Sequence, residues 1–391
     1  MPDRYDVAVI GAGIAGVSAA WHLHRKGLRV VLIDRSSVPA SGGSGAAGAF
    51  VAPKIGKGGA LQQLTNEAFA YAQAFYREQT PEHFTDGGVV RIPRDAADAQ
   101  RFPLYTPHNY PVYELWSADD LARRGIHDPH GGFFFPEAGD CDAPAVCRML
   151  VEGIDFVQGE VESVRGSGFR VQGSGWQIHF KQPNTTQHPP STIQHPTLNI
   201  QTIVLATGYQ NDLFDMRYMG IKGLWGSRGD YLTASELPVS LHKTLSVSST
   251  REGIVKIGAT HVKHPEPCRI CDGQPLAGLF AGASELVDTS DFRLKEILCG
   301  MRSGSRDFFP VAGEVIDVPY LLEHHPAITR GAKPELHYLE GVYVLNGLGG
   351  RGFVFAPLMG RWLAERIASG TPIDRRVHPD RLFWKWVRTF F

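Results

Sequence analysis

Two groups of residues in this sequence have types and spacings that point to chemistry. The first is Gly11-Ala12-Gly13-Ile14-Ala15-Gly16, a G-x-G-x-x-G run. At that spacing the first glycine permits a tight turn, and the second lets the main chain approach a pyrophosphate. The third lets a helix lie close on a strand. The helix start then offers N–H donors and the positive end of its dipole to phosphate. The second group is His261-x-x-His264-x-x-x-Cys268-x-x-Cys271. Imidazoles and thiolates at these intervals are compatible with a tetrahedral zinc that would pin a loop. Four ligands within eleven residues make a cramped site, and a solvent loop with free thiols explains the same residues. No metal is assigned.

The glycine run gains meaning from the elements around it. Residues 5–10 form a short apolar run suited to a strand buried on both faces. Ala15, Ala19 and Leu23 lie on one stripe of the following helix, Gly27 breaks it, and residues 29–33 read as a second strand. That strand closes on Asp34, whose carboxylate can accept hydrogen bonds from ribose hydroxyls, followed by Arg35.

Two distant segments decide which dinucleotide is meant. Residues 202–208 are an apolar strand ending in Ala206-Thr207-Gly208. Residues 341–352 are a strand entering a turn with Gly347, Gly349, Gly350, Arg351 and Gly352, after which 357–367 reads as a helix. Such a turn can set N–H groups against the pyrimidine edge of a flavin, where negative charge develops on reduction. The cofactor expected is therefore FAD. The small-residue segment 41–53, directly after the ribose acid, is expected to wrap it through Gly43, Ser44, Gly45, Ala46 and Gly48, with Val161 and Phe353 completing the contacts.

The bulk properties narrow the setting. A length of 391 residues predicts two domains. The net charge of −1 gives no global basic field for nucleic acid, although a local patch would still serve. Five cysteines fit a reducing compartment, and Cys141, Cys147 and Cys299 read as buried small hydrophobes. No leader and no run of roughly 20 apolar residues is seen, which predicts a soluble, cytoplasmic protein. Leu61, Leu64, Ala68, Ala72, Phe75 and Tyr76 follow helical spacing. Strands are expected at 89–92, 132–136, 176–181, 230–233 and 253–258, helices at 143–150 and around 284–299, and an exposed loop over 182–199.

The opening fingerprint, G-G-S-G-A-A-G-A-F-V-A-P (42–53), F-F-P-E-A-G-D-C-D-A-P-A (134–145), M-R-S-G-S-R-D-F-F-P-V-A-G (301–313), G-L-G-G-R-G-F-V-F-A-P-L (347–358) and H-P-D-R-L-F-W-K-W-V-R (378–388) resemble the D-amino-acid-oxidase/glycine-oxidase superfamily. Within it the likeness is greatest to the FAD-dependent carboxy-terminal module of the bifunctional bacterial tRNA wobble-uridine enzymes. The H-P-x-R-L ending is the most specific part, and the other segments are shared more widely.

The resemblance implies an α/β fold, α+β overall. A discontinuous Rossmann-like FAD-binding domain would span 1–85, 140–208 and 335–391. A mixed-sheet substrate domain of the D-amino-acid-oxidase type would span 86–139 and 209–334. It also implies removal of the carboxymethyl arm of 5-carboxymethylaminomethyl-(2-thio)uridine in tRNA, leaving 5-aminomethyl-(2-thio)uridine and glyoxylate, with oxygen reoxidising the flavin. The methyltransferase domain of the bifunctional enzymes has no counterpart here, so the chain would be a stand-alone version, with a separate methyltransferase acting downstream.

Arg302 and Arg351 match the positions that hold the substrate carboxylate in glycine-oxidase relatives, and Tyr231 is a further pocket candidate. Arg306 and Asp307 read as a structural pair. No general base is required if the amine binds neutral. The terminal segment carries Arg361, Arg366, Arg375, Arg376, Arg381, Lys385 and Arg388 among Trp384, Trp386, Phe390 and Phe391. Those residues suit either tRNA contact or packing on the FAD domain. A free-amine oxidase or dehydrogenase for glycine, sarcosine or a D-amino acid would share the same cofactor site, and a flavin-bearing RNA-binding protein without turnover is a third reading.

Overall fold

A computed structural model describes residues 5–167, 175–181, 197–210, 212–262 and 273–390 of the chain. Its first sheet has six strands, in the order Val311–Ile316, Tyr338–Asn346, Thr202–Leu205, Val7–Ile10, Val30–Asp34 and Asp155–Gln158. All pairings are parallel except that of the Val311–Ile316 edge strand. The central strand Val7–Ile10 is buried at every position, and its residues alternate between two cores. Val7 and Val9 face the helices Ile14–Arg25, Ala60–Gln79 and Gly352–Ser369. Ala8 and Ile10 face the small antiparallel sheet Val161–Ser167, Gly175–Phe180 and Thr197–Ile200 and the terminal helix Asp380–Phe390. A strand covered on both faces needs apolar residues throughout, which is why 7–10 carries no polar residue.

The second large sheet has eight strands, in the order Arg293–Gly304, Lys222–Leu232, Ile254–Gly258, Ser246–Val247, Ser240–His242, Val89–Arg91, Gly132–Phe135 and Glu114–Trp116. Its outer face buries Tyr231, Val255, Ile257 and Leu286 in a third core. A short three-stranded sheet, Phe50–Val51, Gly139–Cys141 and Phe84–Thr85, bridges the two halves.

Several expectations change. No helix runs over 284–299: the helix Gly273–Ser284 ends there, and Arg293–Gly304 is a strand paired antiparallel along Lys222–Leu232. Leu294, Lys295, Glu296 and Leu298 favour helix locally, and ladder pairing on one side overrides that weak preference. The Val311–Ile316 strand, expected in the second domain, hydrogen-bonds instead to Tyr338–Asn346 in the FAD-side sheet. Residues 197–199, read as loop, belong to the strand Thr197–Ile200, and 182–196 lies outside the described residues. Asp307 pairs with Arg381 at 2.8 Å rather than with Arg306.

Candidate active site

The carboxyl ends of Val7–Ile10, Val30–Asp34 and Thr202–Leu205 open into one cleft of about 1210 Å³, whose far wall is the eight-stranded sheet. That exceeds the roughly 300–1,000 Å³ of ordinary small-ligand sites, leaving room for a dinucleotide and a substrate together. Gly11 takes φ +103°, a turn an L side chain rarely adopts, and a Cβ on Gly16 would lie 1.8 Å from the Gly11 carbonyl oxygen. Gly13 differs: a Cβ there would meet only Ser44 Oγ, at 3.1 Å, so its main chain faces the cleft. The helix Ile14–Arg25 has no acidic residue in its first turn, and the Ile14 N–H donates to Ser44 Oγ at 2.9 Å. A Cβ on Gly352 would sit 3.1 Å from Ile14 Cγ2, so the start of Gly352–Ser369 lies beside it. Two adjacent helix N-termini, a glycine main chain open to the cleft and a carboxylate at the second strand's end form a cradle that fits FAD.

Asp34 is held by the N–H groups of Ala12 (2.7 Å) and Ser36 (2.8 Å), which aim its carboxylate along the cleft floor. Asn346, buried and missed by sequence reasoning, donates to the Gly208 carbonyl at 2.7 Å and accepts from the Gly347 N–H at 2.8 Å. It ties the A-T-G strand end to the glycine turn.

At the other end the cleft wall is cationic. Arg302, on the Arg293–Gly304 strand, donates from Nη1 to the Thr260 carbonyl at 3.1 Å. It lies over Gly226, where a Cβ would fall 2.4 Å from Nη2. Arg351 precedes the helix Gly352–Ser369 as its N-cap without a side-chain cap bond. Burial alone pulls both arginines below their usual pKa. Lys54 and Arg91 join them. Burial and the charges of Arg351 and Arg91 bring Lys54 down to about 8. Burial and Arg351 bring Arg91 down to about 10, against the opposite pull of Asp98. His242, half-buried beside Arg91 and Arg351, is held neutral with a pKa of about 3, burial being the main cause. Guanidinium groups set this way can orient a carboxylate by paired hydrogen bonds.

The sequence profile of the FAD dependent oxidoreductase family DAO matches residues 6–366. The chain belongs to this family. It is an FAD-dependent oxidoreductase. It is 26% identical over 409 residues to the tRNA 5-methylaminomethyl-2-thiouridine biosynthesis bifunctional protein MnmC of Pseudomonas putida, with 96% of this chain covered. The chain spans 59% of that relative's length. Among solved structures it shares the fold of glycine oxidase from Bacillus cereus, with TM-score 0.75 and 19% identity over 94% of this chain and 96% of that one. The iminodiacetate oxidase of a Chelativorans species matches with TM-score 0.71 and 18% identity, over 95% and 98% of the two chains.

Within this DAO fold most of the sequence-derived positions converge. Gly11, Gly13, Ile14, Ala15, Asp34, Arg35, Gly43, Ser44, Gly48, Val161, Ala206, Thr207, Gly208, Gly349, Gly350, Arg351, Gly352 and Phe353 all line the cleft, as does Arg302. Gly16, Gly45, Ala46 and Gly347 lie behind that lining and shape it by close packing: a Cβ on Gly45 would meet the Ala40 carbonyl at 2.1 Å. Tyr231 does not join the site. It follows Arg228 and Asp230 on one strand, and alternation turns it to the opposite face, where it is 6% exposed against Phe280 and Phe292. Of the proposed zinc ligands, His261 lines the cleft near Arg302, while His264, Cys268 and Cys271 lie outside the described residues. Among the described residues no cluster suits a metal. Cys141 and Cys147 are buried and free, whereas Cys299 is half-buried at the cleft and disulfide-bonded. No helix among the described residues is long and apolar enough to cross a membrane.

The terminal H-P-D-R-L segment has a packing role. Arg381 grips Asp307 with two bonds (2.8 and 3.1 Å) and donates to the carbonyls of Phe309 and Val377. Trp386 and Phe383 are buried against Tyr218. Arg361, Arg366 and Arg376 are ion-paired to Glu365, Glu314 and Glu67, which with Arg381 leaves Arg375, Lys385 and Arg388 of this basic set outside an ion pair among the described residues. His378 sits between Glu314 (3.0 Å) and Asp380 (3.1 Å). Burial disfavours its charge, but the two carboxylates outweigh burial and raise its pKa to about 9. A raised folded-state pKa contributes stability that is complete below the unfolded value near 6.5 and is lost as pH rises through 9. Thermal unfolding should therefore show a melting temperature that falls between pH 6.5 and 9, by up to about 3 kcal/mol in stability terms. His378→Gln should flatten that slope; an unchanged slope would assign the loss elsewhere.

Proposed function

We propose that this chain oxidises the CH–NH bond of an N-substituted glycine, and that the glycine is the carboxymethylaminomethyl arm of a tRNA wobble uridine. The observation that carries the reading is Arg302 and Arg351 in one cleft with the glycine-lined cradle, neither paired to a carboxylate among the described residues. Arg302 and Arg351 would clamp the glycine carboxylate, Gly11, Gly13 and Asp34 would hold FAD, and the wall would exclude water from the α-carbon. Bound FAD supplies the hydride acceptor. The α-carbon loses a hydride and the nitrogen a proton, water adds to the resulting C=N bond, and the C–N bond breaks to a primary amine and glyoxylate. Four nearby cations disfavour an ammonium, so the amine is presented neutral without a side-chain base.

Likeness over 96% of the chain to a protein named for tRNA 5-methylaminomethyl-2-thiouridine biosynthesis supports the tRNA substrate. One observation favours a free amine instead: four of the seven terminal basic side chains, Arg361, Arg366, Arg376 and Arg381, are spent on internal ion pairs. Under anaerobic conditions, tRNA bearing the carboxymethylaminomethyl arm should bleach the oxidised flavin spectrum and release glyoxylate. Rapid bleaching by glycine or sarcosine, with none by that tRNA, would move the assignment to a small-molecule oxidase.

A further inference from the structure

The substrate end of the cleft holds more positive charge than one carboxylate can compensate. Three other cations of the lining have carboxylate partners: Arg228 with Asp230 at 2.8 Å, Lys256 with Asp140 at 3.0 Å and Lys181 with Glu160 at 2.6 Å. Among the described residues, Lys54, Arg91, Arg302 and Arg351 have no such partner; nor has Arg35, at the Asp34 end, which donates to Gln210 Oε1 at 3.1 Å. The Nε of Arg91 is buried with no hydrogen-bond acceptor at all. The carboxylate acting on Arg91, Asp98, lies outside the lining and is taken by Arg94 at 3.3 Å. The two histidines of the lining, His242 and His261, are both pulled down by burial and neighbouring arginines and add no compensation.

Lys54, Arg91 and Arg351 repel one another, and with Arg302 in the same cleft they are costly unless a ligand offsets them. One substrate carboxylate forked between two arginines offsets that pair. Lys54 and Arg91 are left over. On an N-substituted glycine only the nitrogen substituent can carry another charge into reach. We propose that Lys54 and Arg91 form a second anion subsite, and that the preferred substrate is an N-substituted glycine whose substituent bears a second acidic oxygen group. This rests on the N-substituted-glycine reading. The second group is either a carboxylate on a small amine or the phosphate of the nucleotide that carries the arm. For a pyrimidine, the C5 arm projects from the same edge as the 5′-phosphate.

Binding without turnover tests the subsite independently of that reading. Titration of the FAD-loaded protein, followed by flavin absorbance, should show malonate binding at least about tenfold more tightly than acetate. Lys54→Met and Arg91→Met should each bring that ratio toward unity, while Arg91→Lys should keep part of it. Because half-buried Arg91 also sits on a sheet strand, Lys54→Met carries the test if Arg91→Met does not fold. Equal binding of the two acids overturns the proposal. So does a ratio that survives Lys54→Met, or a parallel loss of both affinities with a shifted flavin spectrum, which would assign these cations to the cofactor.

Reduction then identifies the source of the charge. Faster bleaching by iminodiacetate than by sarcosine marks a carboxylate. Faster bleaching by 5-carboxymethylaminomethyl-uridine 5′-phosphate than by its nucleoside marks a phosphate. If no N-substituted glycine bleaches the flavin, the proposed function falls, while the malonate-to-acetate ratio still decides the subsite.

Discussion

Arg351→Met and Arg302→Met are each expected to slow flavin reduction by the accepted N-substituted glycine while FAD stays bound. Truncating one partner of a buried, hydrogen-bonded charge pair costs about 2–5 kcal/mol, roughly 30- to several-thousand-fold in rate if the pair holds in the transition state. Both side chains are mostly buried, and burial is what lowers their pKa. Each would therefore meet a substrate carboxylate where water screens it least. Methionine keeps the length of the stem and removes only the fork. The Arg351 side chain makes no cap bond, so the helix Gly352–Ser369 loses nothing by the change. Arg302 gives up one bond to the Thr260 carbonyl, a smaller loss than the clamp. Rapid-mixing reduction under anaerobic conditions measures the rate, and the 450 nm absorbance per protein reports retained FAD. Unchanged reduction in both variants would remove the clamp.

The glycine cradle is easier to read in the sequence than the cationic wall because the two are built differently. Phosphate binding needs glycines at fixed spacing along one chain segment, so Gly11, Gly13 and Gly16 can be read locally. Asp34 is legible for the same reason, one strand later. The cationic wall is assembled from residues far apart: Arg91 on Val89–Arg91, His242 on Ser240–His242 and Arg302 on Arg293–Gly304. Arg91 did leave a signal, a lone charge in the run Val89-Val90-Arg91-Ile92, where an unpaired arginine in a buried strand calls for a partner. Tyr231 shows the converse, since one step of strand parity decides between pocket and core, and composition does not fix parity. The strand at 293–304 escaped because its partner Lys222–Leu232 is remote in sequence, and pairing of that kind leaves no local mark. Motif recognition found the terminal H-P-D-R-L segment, but its role came only with the Arg381–Asp307 and His378–Glu314 contacts.

The most damaging single methyl group in this fold should be the one added by Gly16→Ala. That Cβ would lie 1.8 Å from the Gly11 carbonyl oxygen, 3.0 Å from its carbon and 3.2 Å from Ala206 Cβ. Backbone in the tight turn that closes a buried central strand cannot yield as a side-chain tip can, so the helix Ile14–Arg25 must slide outward. Overpacking of this kind costs about 1–3 kcal/mol and sometimes more, which lowers the melting temperature of a domain this size by several degrees. The larger effect falls on the cofactor. A helix displaced by even an ångström carries its N–H donors away from the pyrophosphate position and breaks the bond from the Ile14 N–H to Ser44 Oγ. Gly16→Ala should therefore purify with little or no flavin, seen as a collapse of 450 nm absorbance relative to 280 nm, together with the lower melting temperature. Gly166→Ala is the control: nothing lies within 4 Å of the Cβ it would add, and both signals should match the parent. If Gly16→Ala kept its FAD and its melting temperature, the helix would not be held against the strand by that glycine, and the cradle would owe its position to Ser44 and Asp34 instead.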